Sequence, residues 1–443
     1  MIATCRRLNG SYAFVIAFED GCICGARYDQ PLILGLGKKG YFMSSDVLGF
    51  LEYTDEAIFL DNNDIAILES DDLRIFDIDG NRVERTVTKV AWELAAIDKG
   101  KYAFHTFKEI HEQPSVIRRA GSKDANKIEE VCKILRDCKS LFLTASGTSY
   151  HCALVAKDLL LNFSKIHAET VVSSEFQYSL DGIGTSSVLI ALSQSGETAD
   201  VLQAVKTAKL LGCRIVSIGN NSSSSLARMS DFFLDIDCGP EVGVAATKSF
   251  TAQLFLIYEI VNKLCNNSLW FDGDKASLVE TMGEILTAKI EIERIAEGLK
   301  DAQDIYVIGR SVHYPIALEA ALKIKELSYI HAEGIVAGEL KHGPLALIGN
   351  KTCIIIINPE DKTFGDNIIS ARETKSRGAT VIGISNRPMD EYDIFIRIPS
   401  IKNVSLYPII EILPLQILAY YLALIKKADP DYPRNLAKSV TVK

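Results

Sequence analysis

The segment VLIALSQSGETAD (188–200) places hydroxyl and amide side chains where a buried strand ends and a helix begins. Those side chains are Ser193, Gln194, Ser195 and Thr198. Backbone N–H groups and the positive end of the helix dipole converge at such a turn, which suits it to a phosphate. Ser149, in SGTSY, follows an earlier strand and is expected at the same carboxyl edge of a parallel sheet. Serine and threonine also cap helices without binding a ligand, but this many at one edge favour a phosphate site.

A second cluster lies in EAALKIKELSYIHAEGIVAGELKHGP (319–344), where Lys323 and Glu326 share one helical face. A pair at this spacing is usually a surface ion pair of small energetic value. Here Glu326 lies amid apolar residues, and a glycine-marked loop is predicted to follow. That loop carries His331, Glu333, Glu339 and His342. A carboxylate, an amine and an imidazole can together move protons beside a carbonyl group, so the residues alone leave a catalytic and a structural role open.

A third candidate is Lys438, in the C-terminal segment YPRNLAKSVTVK. This segment has neither helical nor strand periodicity, although Pro433 and the alternation of apolar residues indicate order. Composition alone does not decide between a loose surface lysine and one folded over the phosphate site.

The first 100 residues consist of short alternating runs such as SYAFVIAF and AIFLDNNDIAILE, separated by Gly, Asp and Asn turns. This pattern predicts an antiparallel sheet. The segment GLGKKG (35–40) matches a dinucleotide-binding pattern, but a strand follows it where that motif requires a helix. We therefore predict a hairpin turn there.

After a charged, partly helical connector, apolar strands alternate with helical segments, which predicts parallel, doubly wound α/β sheets. The chain also repeats itself: residues 141–160 are echoed by 305–325, and 209–220 by 376–386. Two βαβ domains of similar size are therefore predicted. Where the first copy has SQSGETAD the second has INPEDKTF, so the fold itself does not require the hydroxyl groups.

Length and charge narrow the possible functions. A chain of 443 residues is expected to form two to four domains. A formal net charge of −9 argues against binding to nucleic acid or to an anionic membrane. The ten cysteines and seven histidines show no metal-ligand spacing, so we expect no metal, no cofactor and reduced thiols. The longest apolar stretch (406–427) carries Glu411, Gln416 and two prolines, which indicates a core helix and a cytoplasmic protein without a leader.

Seven segments together resemble a known family in order and spacing. They are GTSYH, SEFQY, SQSGETAD, EVGVAATKSFTAQL, YPIALEAALKIKELSYIHAE, AGELKHGPLALI and PRNLAKSVTV. The family is glutamine–fructose-6-phosphate aminotransferase (isomerizing), whose members make glucosamine 6-phosphate. The resemblance extends from about residue 105 to the end, and the two α/β units look like the sugar-isomerase (SIS) domains of that family.

The resemblance implies roles for the residues of all three clusters. Fructose 6-phosphate would bind at Thr148, Ser149, Ser193, Gln194, Ser195, Thr198 and Val244. Lys438 would form a Schiff base with the C2 carbonyl, and ammonia would then replace the lysine. Glu326 would carry a proton between C1 and C2, and Lys323 would stabilise the enolic intermediate. His342 would help to open the sugar ring and would reach the site from a partner subunit, which implies at least a homodimer.

Two positions depart from the family pattern: Ser146 replaces the usual Cys and Ala246 replaces a Ser. Residues 1 to about 100 resemble only the later part of the family's Ntn-type glutaminase domain, in LNGSYAFVI and residues 44–68. Cys5 does not match the N-terminal cysteine nucleophile. We therefore expect a half sandwich with an uncovered sheet face. The nitrogen would come from free ammonia, from a separate glutaminase chain, or from glutamine in a longer form of this protein.

The predicted organisation has five parts. They are a partial glutaminase-like domain (1–104), a connector (105–130), a first SIS domain (131–272), a second SIS domain (296–433) and a tail over the active site (434–443). Two other functions remain open on the residues. One is a sugar-phosphate isomerase or deaminase without a nitrogen donor, and the other is a regulator that binds sugar phosphate without chemistry.

Overall fold

The computed structural model describes residues 1–38, 40–70, 72–90, 98–120, 124–179 and 181–440. After a short helix, α1 (Ile2–Cys5), the N-terminal region forms two antiparallel sheets of four strands each. Strand order in the first sheet is β1 (Tyr12–Ala17), β2 (Ile23–Tyr28), β6 (Ile65–Leu68) and β7 (Leu73–Phe76). In the second sheet it is β4 (Gly40–Ser44), β3 (Ile33–Gly37), β5 (Glu56–Phe59) and β8 (Val87–Lys89). The antiparallel pairing of β3 with β4 confirms the predicted hairpin at GLGKKG.

The two sheets pack face to face through apolar side chains. Leu34 and Ile58 of one sheet share a buried cluster with Ala66 and Ile75 of the other. The expectation of a half sandwich is therefore wrong, because the facing sides of the two sheets cover each other. Exposed apolar side chains do occur near edge strand β1, where they include Val15, Ile16 and Phe18.

The connector is helical, as predicted, and leads into the first parallel sheet. The helices of the connector and of the first α/β unit, in chain order, are α2 (His105–Arg119), α3 (Ala125–Asp137), α4 (Gly147–Leu159), α5 (Ala199–Leu210), α6 (Ser225–Met229) and α7 (Lys248–Leu264). Strand order is β10 (Ala168–Val172), β9 (Ser140–Ala145), β11 (Ser187–Leu192), β12 (Arg214–Gly219) and β13 (Phe232–Asp235). The three inner strands, β9, β11 and β12, are buried on both faces, as expected for a parallel sheet covered by helices on both sides.

The second parallel sheet repeats this topology. Strand order is β15 (His331–Val336), β14 (Asp304–Gly309), β16 (Cys353–Ile357), β17 (Thr380–Ser385) and β18 (Ile394–Arg397). The helices are α8 (Asp272–Thr287), α9 (Lys289–Gly298), α10 (His313–Ser328), α11 (Phe364–Lys375) and α12 (Tyr407–Ile425). In each sheet the second strand in the chain lies at the edge, beside the first strand. The two α/β units predicted from the internal repeat are thus confirmed.

The apolar helix α12 lies in the main hydrophobic core, where it packs against α10. Among the described residues, 404–425 are long and apolar enough to cross a membrane by length and composition. However, 89% of the most apolar window in this stretch is buried inside the protein. Burial of this kind is typical of a core helix, as the sequence predicted.

One predicted loop is wrong. Residues 331–336, expected in a glycine-marked loop, form strand β15, followed by a 3₁₀ helix over Ala337–His342. The strand forms because Ala332 and Ile335 pack into the core, and because a parallel neighbour, β14, supplies its backbone partners.

Candidate active site

The hydroxyl-rich turn after β11 folds around its own side chains. The Oγ atom of Ser193 lies 3.0 Å from the Oγ1 atom of Thr198 and accepts the backbone N–H of Gly196 at 3.1 Å. The Oγ atom of Ser195 accepts the N–H of Glu197 at 3.2 Å. Thr198 is the residue before α5, so the turn leads directly into the positive end of that helix.

Gly196 makes this turn possible. Its φ angle of +69° lies in the left-handed region that favours glycine. A Cβ atom added there would lie 2.2 Å from the Oγ atom of Ser224. Both the backbone conformation and the close packing therefore require glycine.

Thr148 and Ser149 lie at the same sheet edge, in the first turn of α4. Strands β9 and β11 are neighbours, and their last residues, Ala145 and Leu192, are paired in register. The turns that follow the two strands therefore leave the sheet side by side, as the sequence predicted for Ser149 and the 193–198 turn. Gln194 and Ser195 line a cavity of about 330 Å³ at this edge.

Three parts of the chain provide most of the lining of that cavity, and Asn221 and Glu241 complete it. The turn after β11 contributes Gln194, Ser195 and Glu197; the C-terminal tail contributes Ala437, Lys438 and Ser439; and the N-terminal region contributes Pro31, Ile33 and 45–48. The cavity thus brings the predicted phosphate-binding turn and Lys438 together.

Lys438 is held in one position. Its Nζ atom donates to the Oε2 atom of Glu241 and to the carbonyl oxygen of Gly243, both at 2.7 Å. Burial alone would raise the pKa of Glu241, but the charge of Lys438 and hydrogen bonds from Thr247 and Ser249 outweigh it and lower that pKa to about 2. The Lys438 amine is thus paired with a fully buried carboxylate.

The tail that carries Lys438 is anchored at both ends. Before the lysine, the Asp431 carboxylate accepts the backbone N–H groups of His105 and Thr106 at the start of α2, at 2.9 and 2.8 Å. After the lysine, the carbonyl oxygen of Val440 accepts the N–H of Ala199, the first residue of α5, at 3.1 Å. Lys438 is therefore part of an ordered segment that crosses the sheet edge.

Val244 belongs to the same environment through its backbone, since its N–H donates to the carbonyl oxygen of Asp431 at 3.0 Å. At the two departures from the family pattern, Ser146 precedes α4 without making a side-chain capping bond, and Ala246 is half-buried beside Thr247.

A buried carboxyl group missed by the sequence reasoning supports the turn that holds Lys438. Glu109 lies on α2, and its Oε1 atom accepts the N–H groups of Val242 and Gly243 at 2.5 and 3.2 Å. Burial, together with the nearby charge of Glu241, raises the pKa of Glu109 to about 7. A glutamate within KEIHEQP gives no local sign of a contact more than 130 residues away.

Lys323 lies in the interior of the protein between two carboxylates. Its Nζ atom donates to Glu326 at 2.6 Å and to the Oγ1 atom of Thr148 at 3.1 Å, and it lies 3.4 Å from Glu319. Burial would lower the pKa of Lys323, but the charges of Glu319 and Glu326 raise it well above its usual value. Lys323 is therefore charged, and Thr148 connects it to the helix that carries Ser149.

His342 is not bonded to the described residues of this cluster. It is exposed at the end of the 3₁₀ helix, and it makes no hydrogen bond or ion pair with the residues that the structure describes. His331 is also exposed and bonds Asp304 at 2.7 Å. Among the described residues of one chain, Lys323 and Glu326 are bonded to each other, whereas neither His342 nor His331 is bonded to them.

Within the described ranges, no group of three or more His, Cys, Asp or Glu side chains is arranged to hold a metal ion. The cysteines are free thiols, and Cys22 and Cys24 lie with their Sγ atoms 3.8 Å apart.

Comparison with known proteins identifies the fold and the family. A family model described as the SIS domain matches residues 134–263 and 298–426. The C-terminal domain of glucosamine-fructose-6-phosphate aminotransferase from Francisella tularensis has a similar structure, with a TM-score of 0.66 and 31% identity. It covers 76% of this chain and 100% of its own. The tagatose-6-phosphate ketose/aldose isomerase of Escherichia coli, at 19% identity and a TM-score of 0.65, shares the fold over 78% of this chain and 99% of its own.

Similar curated proteins match nearly the whole chain. The glutamine–fructose-6-phosphate aminotransferase (isomerizing) of Pyrococcus horikoshii is 42% identical over 98% of this chain and 74% of its own length. That of Thermococcus kodakarensis is 40% identical over 99% of this chain and 75% of its own. The chain thus spans about three quarters of the length of these relatives. On this similarity, the chain belongs to the glutamine–fructose-6-phosphate aminotransferase (isomerizing) family.

Proposed function

We propose that this protein forms glucosamine 6-phosphate from fructose 6-phosphate by amination at C2 and ketose–aldose isomerisation. The observation that carries the proposal is that the hydroxyl-rich turn and Lys438 line one cavity at the carboxyl edge of the first parallel sheet. A phosphate on that turn would bring a six-carbon sugar within reach of the lysine amine. The names of the relatives support the same substrate and reaction.

The first steps would take place at Lys438. The phosphate would accept hydrogen bonds from Ser149 and from the side chains of the turn (Ser193, Gln194, Ser195 and Thr198). Once Lys438 has lost its proton, its amine would add to the C2 carbonyl, and loss of water would leave a Schiff base. Ammonia would then add at C2 and displace the lysine, which leaves an imine on the sugar.

The isomerisation would use the cluster on α10. Glu326 would take a proton from C1 and return it to C2, while the proton of the C1 hydroxyl passes to the imine nitrogen. The products of this transfer are an amine at C2 and an aldehyde at C1. The fixed positive charge of Lys323 would stabilise the enolic intermediate between the two transfers. The geometry supports these roles because Glu326 is partly exposed, whereas Lys323 is buried behind it.

Several finer points remain predictions. They are the domain boundaries at 104, 130, 272, 296 and 433, a cytoplasmic location, a homodimer in which His342 acts across subunits, and the source of nitrogen. One assay distinguishes the three possible nitrogen sources, which are glutamine, free ammonia and a separate glutaminase chain. In this assay fructose 6-phosphate is supplied with either glutamine or ammonium.

The test is a comparison of the native protein with Glu326→Gln. We expect the native protein to form glucosamine 6-phosphate with ammonium, and Glu326→Gln to lose turnover while still binding fructose 6-phosphate in calorimetry. Glu333→Gln, an exposed carboxylate on β15, serves as the matched control and should keep full activity.

The alternatives give different results in the same assay. Interconversion of fructose and glucose 6-phosphates without amination would indicate an isomerase, and binding without any turnover would indicate a regulator. Full activity in Glu326→Gln would contradict the proposed mechanism.

A further inference from the structure

We propose that Glu319 is a positioning residue for this reaction, which provides the permanent counter-charge of Lys323 and so leaves Glu326 free to exchange protons. The inference deepens the proposed function and rests on it. It assigns different tasks to two carboxylates that lie on the same helix, one on either side of the same lysine.

The first observation is the complete burial of the pair. The side chains of Glu319 and Lys323 are 0% and 1% exposed, and the carboxylate and ammonium atoms lie 3.4 Å apart. Breaking a buried ion pair leaves one uncompensated charge, which is strongly unfavourable. Water therefore cannot take the place of Glu319 as the partner of Lys323.

The second observation is the hydrogen bonding of Glu319. Its Oε2 atom lies 2.7 Å from the Nδ1 atom of His151, and its Oε1 atom accepts the hydroxyl of Thr148 at 3.1 Å. Together with Lys323, three groups fix this carboxylate. A carboxylate fixed by three partners is poorly suited to move during a reaction cycle.

Glu326 differs in each of these respects. Its side chain is 22% exposed, and the hydrogen bond that the structure gives it is the one from Lys323, at 2.6 Å. It can therefore turn toward a bound sugar while Lys323 keeps a carboxylate partner behind it. Without Glu319, Glu326 would be the remaining carboxylate partner of the Lys323 charge, which would hold its side chain in place.

Glu319 also connects the two parallel-sheet units. Thr148 and His151 lie on α4, in the helix that carries Ser149, whereas Glu319 lies on α10 with Lys323. The contact between α4 and α10 therefore includes a buried carboxylate that is bonded to residues of both helices. A phosphate held by Ser149 would in this way be placed at a fixed distance from the proton-carrying side chain.

The experiment measures steady-state kinetics of Glu319→Gln with fructose 6-phosphate and ammonium. Glutamine keeps the volume and one acceptor but removes the charge. We expect kcat to fall roughly 100-fold, toward the lower end of what general acid–base catalysis contributes, while KM for fructose 6-phosphate stays within about threefold of the native value.

Glu411→Gln is the matched control. Glu411 is also fully buried and lies 2.9 Å from the Nδ1 atom of a histidine, His313, but its partners lie outside the Lys323 cluster. Thermal unfolding of both variants reports the loss of stability that a buried charge change brings. If Glu411→Gln lowers kcat as much as Glu319→Gln does, the effect is one of general stability and the inference is wrong.

A double-variant cycle keeps the test decisive if Glu319→Gln is unstable. Because Glu319 is inferred to act through Lys323, adding Glu319→Gln to Lys323→Gln should lower kcat by less than about twofold. Independent, multiplicative losses would overturn the inference. So would a native kcat in Glu319→Gln when Glu326→Gln is inactive, whereas activity in Glu326→Gln would instead overturn the proposed function.

Discussion

At the residue scale, the amine of Lys438 has two carboxyl groups near it, and they differ in ionisation. Glu241 contacts the amine directly, and its pKa is lowered to about 2. Glu109 lies on the other side of the Val242–Gly243 peptide, and burial raises its pKa to about 7. Near neutral pH, Glu241 therefore carries a full charge and Glu109 a partial one, so the total negative charge around the amine changes with pH.

The stability of the protein should record the ionisation of Glu109. Because its pKa in the folded protein exceeds the ordinary value of 4.5, its contribution to stability is fully present below pH 4.5 and is lost as the pH rises through 7. Between pH 5 and 8 the native protein should lose about 2 to 3 kcal/mol more unfolding free energy than Glu109→Gln. Urea unfolding at both pH values measures the difference, and Glu130→Gln, an exposed carboxylate on α3, is the control. If the unfolding free energies of Glu109→Gln and of the native protein depend equally on pH, Glu109 does not ionise between pH 5 and 8.

The residue scale is also where the sequence predicted least. The sequence singled out Lys438, Lys323, Glu326 and the hydroxyl-rich turn, but it did not predict a role for Glu241. Glu241 contacts the Lys438 amine directly, yet the two residues are 197 positions apart in the sequence. Glu319 was visible only as a residue four positions before Lys323. Its role depends on His151, which is 168 positions away, and no local periodicity encodes such a distance.

At the scale of elements, local pattern predicted more. Runs of apolar residues predicted the parallel strands, and alternation of apolar and polar residues predicted the antiparallel strands. The internal repeat predicted two units with the same topology. The error at β15 arose because glycine and histidine were taken as loop residues, whereas Ala332 and Ile335 make that segment a buried edge strand. Tertiary packing outweighed local propensity there.

The turn after β11 gives a prediction at this scale. Gly196→Ala should raise KM for fructose 6-phosphate at least about tenfold, since about 1.4 kcal/mol of lost phosphate binding corresponds to a factor of ten. The reasons are the positive φ angle and the 2.2 Å approach of a Cβ atom to Ser224. Gly184→Ala, where a Cβ atom has open space, should keep the native KM. Steady-state kinetics decide the matter, and an unchanged KM in Gly196→Ala would place the phosphate elsewhere.

At the scale of the whole molecule, the cavity exists because segments distant in the sequence meet. The N-terminal sheets contribute 45–48 to its lining, and Asp29 of that region pairs with Lys206 of α5 at 2.6 Å. The C-terminal tail contributes Lys438 and bonds α2 through Asp431. Composition and periodicity predict each of these segments, but the docking of one on another depends on side-chain contacts that only the folded structure shows.

The position of His342 gives the last prediction. It is exposed and makes no hydrogen bond with Lys323 or Glu326 within one chain, and we predict that a second subunit supplies it to the site. Co-expression of His342→Ala with Lys438→Ala should then restore activity, although each variant alone is inactive. In hybrid dimers one of the two sites has both residues intact, and random pairing makes half of the dimers hybrid, so about a quarter of native activity is expected.

Glu326→Gln co-expressed with Lys438→Ala is the matched control for this experiment. Both of those changes affect residues that one chain supplies to its own site, so hybrid dimers would contain one altered residue in each site and should stay inactive. Light scattering of the purified mixtures establishes that dimers are present. If dimers form but the His342→Ala and Lys438→Ala mixture remains inactive, His342 acts within its own subunit, and the exposed 3₁₀ helix that carries it must move toward Glu326 when the sugar binds.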